Sequence, residues 1–565
     1  MNPIAFVFDV VANGLRAIRN LLATLRPAAD FVVLRIAGSL PERRVPPPPR
    51  WRRLVPFLTI TPPAESLEEW RDRLQQLMDD PRCKGIVLKV GDVPAGLAAL
   101  ESLRAALERY RASGKRVVAY LPTATLQTYY LLSVADTVVA PESGELALLG
   151  LRVEATFLRS ALDRLGILPQ FHHIAEYKTA VNRYLYPAMP PSQREMVSSL
   201  MDSAFGEIVA TIARSRQLPV ERVRELIDHG LLSAPAAKDS HLIDAVAFED
   251  DLPNVLGASG RPATIIPWAQ ARGRVRRPYR WPSLQRQAIG VVELVGLLVP
   301  GESREFPIPV PLFGKYLAGD ETIARAFRRA EKAERIKAIV FHVDSPGGSP
   351  VASDLVWREV ARVQRTKPVV VHMGNVAGSG GYYVACGARH IVAGATTITG
   401  SIGVVSGKFN AEGLLAKGGV RREVIARGEM ATMESAFTSY SETEWRALVG
   451  RMHEIYLRFK DRVAAGRGRS MEEIERIARG HVWTGRQALE HRLVDEIGDL
   501  PAAVRKAKAL AGIAAETDVP VVTVRPPRTA AVPAVSATAW LDALRTTVGL
   551  VHEHALLMLP PEIRL

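Results

Sequence analysis

Ser379 lies in the run Gly374-Asn375-Val376-Ala377-Gly378-Ser379-Gly380-Gly381-Tyr382-Tyr383, with glycine on both sides. The run before it, Pro368-Val369-Val370-Val371-His372-Met373, is rich in β-branched residues and predicts a buried strand. Tyr382 to Cys386 can start a helix, which puts Ser379 at a strand-to-helix turn. A serine there has two uses. It can cap the helix. It can also act as a nucleophile, because glycines let a substrate carbonyl approach the backbone and a helix start offers unpaired N–H groups to a developing negative charge. The second use requires a base within hydrogen-bond reach.

The base is found through an internal repeat. Lys84-Gly85-Ile86-Val87-Leu88-Lys89-Val90 resembles Lys337-Ala338-Ile339-Val340-Phe341-His342-Val343. Val117 to Tyr120 matches Val369 to His372, Tyr129-Tyr130 matches Tyr382-Tyr383, and Leu242-Ile243-Asp244 matches Leu493-Val494-Asp495. The offset stays between 251 and 253 residues throughout, which reads as one domain written twice. Superposing the copies sets Leu126 against Ser379, and Lys178 against Glu429. One copy has lost the serine and its glycines; the other has lost the lysine. Together they hold one Ser–Lys pair. Lysine can take a hydroxyl proton only when neutral, which burial away from opposite charge favours.

Each copy opens on a strand, Phe31 to Ile36 or Ala288 to Val295, followed by a helix, Ser66 to Met78 or Glu321 to Ala333. A buried strand, a second helix (Ala95 to Arg111 or Val351 to Arg365) and a third strand follow, leading to the turn at Leu126 or Ser379. This alternation predicts parallel sheets with helical crossovers, an α/β fold. Helices Pro191 to Arg214 and Glu442 to Ala464 fill the end of each copy. The expected organisation is an amphipathic helix in residues 1–30, a first repeat in 31–266 with the lysine, and a basic proline-punctuated linker in 267–286. A second repeat in 287–515 carries the serine, and 516–565 form a tail with a last helix over Thr538 to Met558.

These residues resemble the long, tandem-repeat form of the bacterial signal peptide peptidase A (protease IV) family of serine–lysine peptidases. The resemblance covers roughly residues 30 to 510. It implies a fold related to crotonases and to the proteolytic subunit of the caseinolytic protease. Gly378-Ser379-Gly380-Gly381-Tyr382 stands at the family's nucleophile, and Tyr177-Lys178-Thr179-Ala180 at its general base. Asp344-Ser345-Pro346-Gly347-Gly348-Ser349 resembles the oxyanion loop, which implies Gly348 and Gly380 as the N–H donors. Thr399-Gly400-Ser401-Ile402-Gly403-Val404 resembles a motif whose Ser401 would hydrogen-bond the lysine amine. The resemblance also implies cleaved signal peptides and other apolar extended peptides as substrates, and a homo-tetramer. It implies a bacterial inner-membrane location; a cytoplasmic one is the alternative.

Other readings are a crotonase-type acyl-CoA enzyme, which shares the fold but needs no Ser–Lys pair, and an inactive membrane-surface scaffold. His372 offers a Ser–His alternative, but it lies seven residues before Ser379 in the expected strand and fits a core histidine. His172 and His173 could line a cleft; their spacing is no metal signature, and no metal or cofactor is expected.

The net charge of +14 favours an acidic surface such as anionic lipid. No zinc-binding spacing or aromatic RNA-binding motif points to nucleic acid. Cys83 and Cys386 lie in different copies and suggest neither a disulfide framework nor a metal site. Ile4 to Leu25 is apolar at helical spacing but interrupted by Asp9, Arg16 and Arg19, and falls short of the roughly 20 apolar residues of a spanning helix. It predicts an amphipathic helix with two uses: peripheral attachment to a membrane, with the arginines toward lipid headgroups, or packing on the protein or a sister subunit.

Overall fold

The computed structural model describes residues 3–24, 29–44, 65–258, 260–281, 286–310, 314–525 and 557–558. They cluster into two compact units: Met1–Arg152 with Ala204–Arg286, and Val153–Ser203 with Gln287–Leu565.

The first unit is built on a six-stranded parallel sheet. Its strands, in spatial order, are Ile265–Pro267, Phe31–Ile36, Gly85–Val90, Arg116–Tyr120, Thr137–Ala140 and Ala245–Val246. The helix Leu67–Met78 starts at a capping box: Ser66 Oγ accepts from the Glu69 N–H, and the Glu69 carboxylate accepts from the Ser66 N–H. Such a cap is worth about 1 kcal/mol. Trp70, Leu74 and Leu77 form the buried face of this helix. Residues 265–281 carry the edge strand Ile265–Pro267, the short helix Trp268–Ala271, and a segment hydrogen-bonded to the N-terminal helix Pro3–Thr24.

The second unit has a larger sheet. Its main path runs Val482–Thr484, Ile398–Gly400, Val369–Gly378, Ile336–Ser345, Ala288–Val295 and Val521–Thr523, with His390–Ala393 and Glu496–Ile497 branching off. The pairs along this path are parallel except Ile398–Gly400 with Val482–Thr484. The core strands read as continuous apolar runs, as expected where both faces are covered: Ile339, Val340, Phe341, Val369, Val370 and Val371 are all fully buried.

The duplication extends to individual hydrogen bonds. Tyr129 donates to the Leu242 carbonyl at 2.6 Å, and Tyr382 to the Leu493 carbonyl at 2.9 Å. Asp244 accepts from the Val138 N–H and Asp495 from the Ile391 N–H, at 2.7 and 2.8 Å. Arg216 and Arg467 grip those same carboxylates through two nitrogens each. Each unit therefore ties its late loop to its central strands in the same way.

Residues 153–203 belong to the second unit although they precede it in the chain. Their strand Leu168–His173 pairs antiparallel with Val405–Asn410 along six residues, from His173 opposite Val405 to Leu168 opposite Asn410. The helix Pro191–Arg216 starts in this unit and continues as part of the first after Ser203. Its length and composition would let it cross a membrane, yet half of its most apolar stretch is buried, and Met196, Leu200, Ala204, Ile208 and Ile212 are core residues.

The helix expected over Thr538 to Met558 is corrected at its end: Leu557–Met558 is a strand, paired antiparallel with Gly347–Gly348. The other residues of that expected helix lie outside the described ones.

Candidate active site

Ser379 sits where the strand Val369–Gly378 breaks into the helix Gly380–Ala385. Its backbone has φ 53° and ψ −113°, a conformation that costs a non-glycine residue on the order of 1–3 kcal/mol. Two bonds hold it: the Ser379 N–H donates to the Gly400 carbonyl, and the Ser379 carbonyl accepts from the Tyr383 N–H, both at 2.8 Å. Strained turns of this kind aim a nucleophile out of a strand-to-helix elbow. The serine occupies the N-cap position, but its side chain makes no cap bond. Glycine at 380 permits a close approach, because a Cβ there would lie 2.6 Å from Ser353 Oγ and 3.2 Å from the backbone of Gly347 and Gly348.

Among the described residues the one side-chain partner of Ser379 Oγ is Lys178 Nζ, at 2.7 Å. Lys178 is fully buried. Its other two partners are the Ser401 carbonyl and Ser401 Oγ, both at 2.9 Å. No carboxylate is among them, and burial pushes the amine well below its ordinary pKa. The arrangement suits a neutral amine. Its two N–H groups point at the two Ser401 oxygens, leaving the lone pair for the hydroxyl of Ser379. Ser401 is itself held at φ 52°, with its N–H donated to the His481 carbonyl at 2.7 Å.

Gly348 lies beside this pair. A Cβ on Gly380 would lie 3.2 Å from Gly348 N, so the two backbones are in close contact. Gly380 opens its helix, and a first-turn N–H has no intrahelical acceptor. Gly347–Gly348 is a two-residue strand that pairs with Leu297–Val299 on one side and with Leu557–Met558 on the other. Leu557–Met558 thus lies as an extended pair along the loop next to the serine.

Other sequence candidates fall elsewhere. His372 is buried in its strand and stacks on His342, with their Nδ1 atoms 2.9 Å apart. Asp344, two residues beyond His342, accepts from the Val376 N–H at 3.1 Å, and burial raises its pKa. His172 packs edge-on against Trp445, and His173 shares a hydrogen bond with the Ala175 carbonyl. Among the described residues no three His, Cys, Asp or Glu side chains are grouped to hold a metal ion.

Two supports of the lysine were not visible in the sequence. Position 480 has φ +81°, and a Cβ there would fall 2.4 Å from Lys178 N, so only glycine fits. Next to it, the Arg479 carbonyl accepts from the Tyr177 N–H at 3.2 Å, and the Arg479 guanidinium meets Glu176 at 3.0 Å. Ala478-Arg479-Gly480-His481 reads as an ordinary turn, and nothing in it signals a partner some three hundred residues away.

The model of peptidase family S49 matches residues 109–259 and 361–514. Protease 4 of Haemophilus influenzae is 31% identical over 77% of this chain and 72% of its own length. Protease 4 of Salmonella typhi is 32% identical over 79% and 72%. The chloroplastic serine protease SPPA of Arabidopsis thaliana is 29% identical over 82% and 68%. By two family matches and by relatives aligned over most of both chains, the protein belongs to peptidase family S49, the serine peptidases in which Protease 4 falls.

Proposed function

We propose that Ser379 is the nucleophile of a peptide-bond hydrolase and Lys178 its general base. The observation that carries this is the 2.7 Å contact of a fully buried lysine, bonded otherwise only to neutral acceptors among the described residues, with the hydroxyl at a strained turn. Ser379 Oγ attacks the scissile carbonyl carbon while its proton passes to Lys178 Nζ. The carbonyl oxygen becomes an oxyanion, held by the N–H groups of Gly348 and Gly380. As the C–N bond breaks, the Lys178 ammonium returns the proton to the leaving amine. Water, deprotonated by the same amine, then releases the acyl group. Ser401 keeps the lysine aimed and accepts from it throughout.

The substrates are extended apolar peptides, including cleaved signal peptides. A relative in Enterococcus faecium is called a putative signal peptide peptidase. The edge of Gly347–Gly348 accommodates an extended strand, as its pairing with Leu557–Met558 illustrates, and β-strand addition would hold a substrate there by its backbone. The working assembly is a homo-tetramer, and the working place a membrane surface.

Digestion of a synthetic signal peptide by the full chain, read by mass spectrometry beside Ser379→Ala, tests the activity. Cleavage at internal bonds by the wild type alone is expected. Equal cleavage by both removes Ser379 from the mechanism. Turnover of an acyl-CoA panel with no peptide cleavage would assign a crotonase-type activity instead.

A further inference from the structure

The N-terminal helix Pro3–Thr24 turns its polar side toward the protein. Asn13, only 5% exposed, donates from Nδ2 to the Arg280 carbonyl at 2.9 Å and accepts at Oδ1 from the Arg280 N–H at 3.1 Å. Asn20, two turns on, repeats this with the carbonyl and N–H of Arg277, at 3.0 and 2.8 Å. Arg16 and Arg19 donate to the carbonyls of Arg280 and Arg272. Of the two sequence expectations, these arginines follow packing on the protein and not an orientation toward lipid headgroups: they anchor the helix to residues 272–280.

The opposite face is apolar and uncovered among the described residues. Val7, Phe8, Leu15, Ile18, Leu21 and Leu22 are each more than half exposed. Their positions fall on one side of a 3.6-residue helix. The segment that holds the polar side carries exposed Arg272, Arg276, Arg277 and Arg280, and Arg276 and Arg277 line a cleft with Leu21 at the margin of the apolar face. Tyr279 is 56% exposed, and Trp281 stacks on Phe6 with ring centroids 6.1 Å apart. A cleft of about 550 Å³ opens between the helix and Arg276–Tyr279, with Ala17, Asn20, Leu21 and Asp79 on its wall. Asp79 accepts from Gln75 at 2.8 Å, and among the described residues neither the Arg276 nor the Arg277 guanidinium meets a carboxylate.

We propose that this face docks on an anionic phospholipid surface, with the cleft beside Arg276 and Arg277 taking a lipid phosphate. The proposal rests on the membrane-surface reading above and names the lipid chemistry. An apolar helix face, a nearby Trp and Tyr, and two arginines that meet no carboxylate among the described residues match the acyl, interfacial and phosphate layers in turn. A second copy of the chain fits less well, because a net charge of +14 would bring like charge against these arginines.

Flotation of the full chain with phosphatidylcholine vesicles, with and without phosphatidylglycerol, tests this. Selective flotation on the anionic vesicles, weakened by salt, is expected. Arg276→Gln combined with Arg277→Gln should weaken anionic binding by about 25-fold, at roughly fivefold for each basic residue near a charged surface. Leu15→Asp with Ile18→Asp should abolish flotation while cleavage of a soluble peptide stays at the wild-type rate, which shows an intact fold. Flotation on neither vesicle overturns the proposal together with the membrane reading. Equal flotation on both, unchanged in the glutamine variant, overturns the phosphate site and leaves the membrane reading standing. A drop in oligomeric mass with flotation unchanged in the aspartate variant assigns the face to a second copy.

Discussion

Lys178 and Ser379 are 201 residues apart in the chain, and their side-chain tips are 2.7 Å apart. Residues 153–203 close that distance, because they cluster with the serine-bearing unit. The pairing of Leu168–His173 with Val405–Asn410 anchors the segment five residues before the lysine. The duplicated chain thereby unites in one unit the two groups that its two copies hold separately.

Burial sets the pH dependence. In the unfolded chain Lys178 titrates near the ordinary value of about 10.4. In the folded chain its pKa is well below that. Between the two values the unfolded state binds more protons, so stability rises with pH across that window and falls as pH drops toward the folded value. Activity follows the same direction, because only the neutral amine accepts the Ser379 proton. The kcat–pH curve should rise to a plateau well before about 10.4; a rise centred at that ordinary value would contradict a buried base.

Lys178→Ala and Ser379→Ala should each lower kcat on the order of 10⁴-fold or more, and the double variant should lose little further, because groups acting as one unit are not additive. Lys178→Arg should be no better than alanine, since guanidinium stays protonated. Steady-state assays of the four proteins check this. Additive losses would separate the two residues.

Gly480→Ala introduces a methyl 2.4 Å from Lys178 N at a positive φ. The lysine segment has to shift. A displacement of about 1 Å is enough to cost on the order of 10²-fold in kcat. KM should change far less, because Gly480 touches the base and not the peptide path. A variant with unchanged kcat would show that the segment adjusts without moving the amine.

The strand Leu557–Met558 occupies the edge proposed for substrate. A chain ending at Arg525 should therefore show a lower KM for an apolar peptide, with kcat little altered. An unchanged KM in that chain would place the substrate on another edge.

Much of this was legible in the sequence. Mostly apolar, β-branched runs marked the strands Phe31–Ile36 and Ala288–Val295 to the residue, and the helix expected over Ser66 to Met78 is Leu67–Met78 with Ser66 as its cap. Lys178 emerged because Glu429 replaces it in the other copy, a signal of duplication and not of local pattern. What stayed hidden depends on contacts between distant segments. Nothing near Leu168 indicates a strand partner at Asn410, and nothing near Gly480 indicates the lysine backbone it must clear. The N-terminal helix showed its two faces in sequence. Which face met the protein depended on the backbone of Arg277 and Arg280, and no side-chain pattern reports that.

The central claim is that a neutral Lys178 activates Ser379. Its most direct test is the rate at which a serine-directed fluorophosphonate labels Ser379 in the wild type and in Lys178→Met, followed across pH. Methionine keeps the buried volume and removes the amine, so the variant should fold. The account predicts wild-type labelling that rises with a single ionisation below the ordinary lysine value, and labelling of the methionine variant slower by on the order of 10³-fold or more. Labelling of that variant at the wild-type rate and with the wild-type pH profile would contradict it.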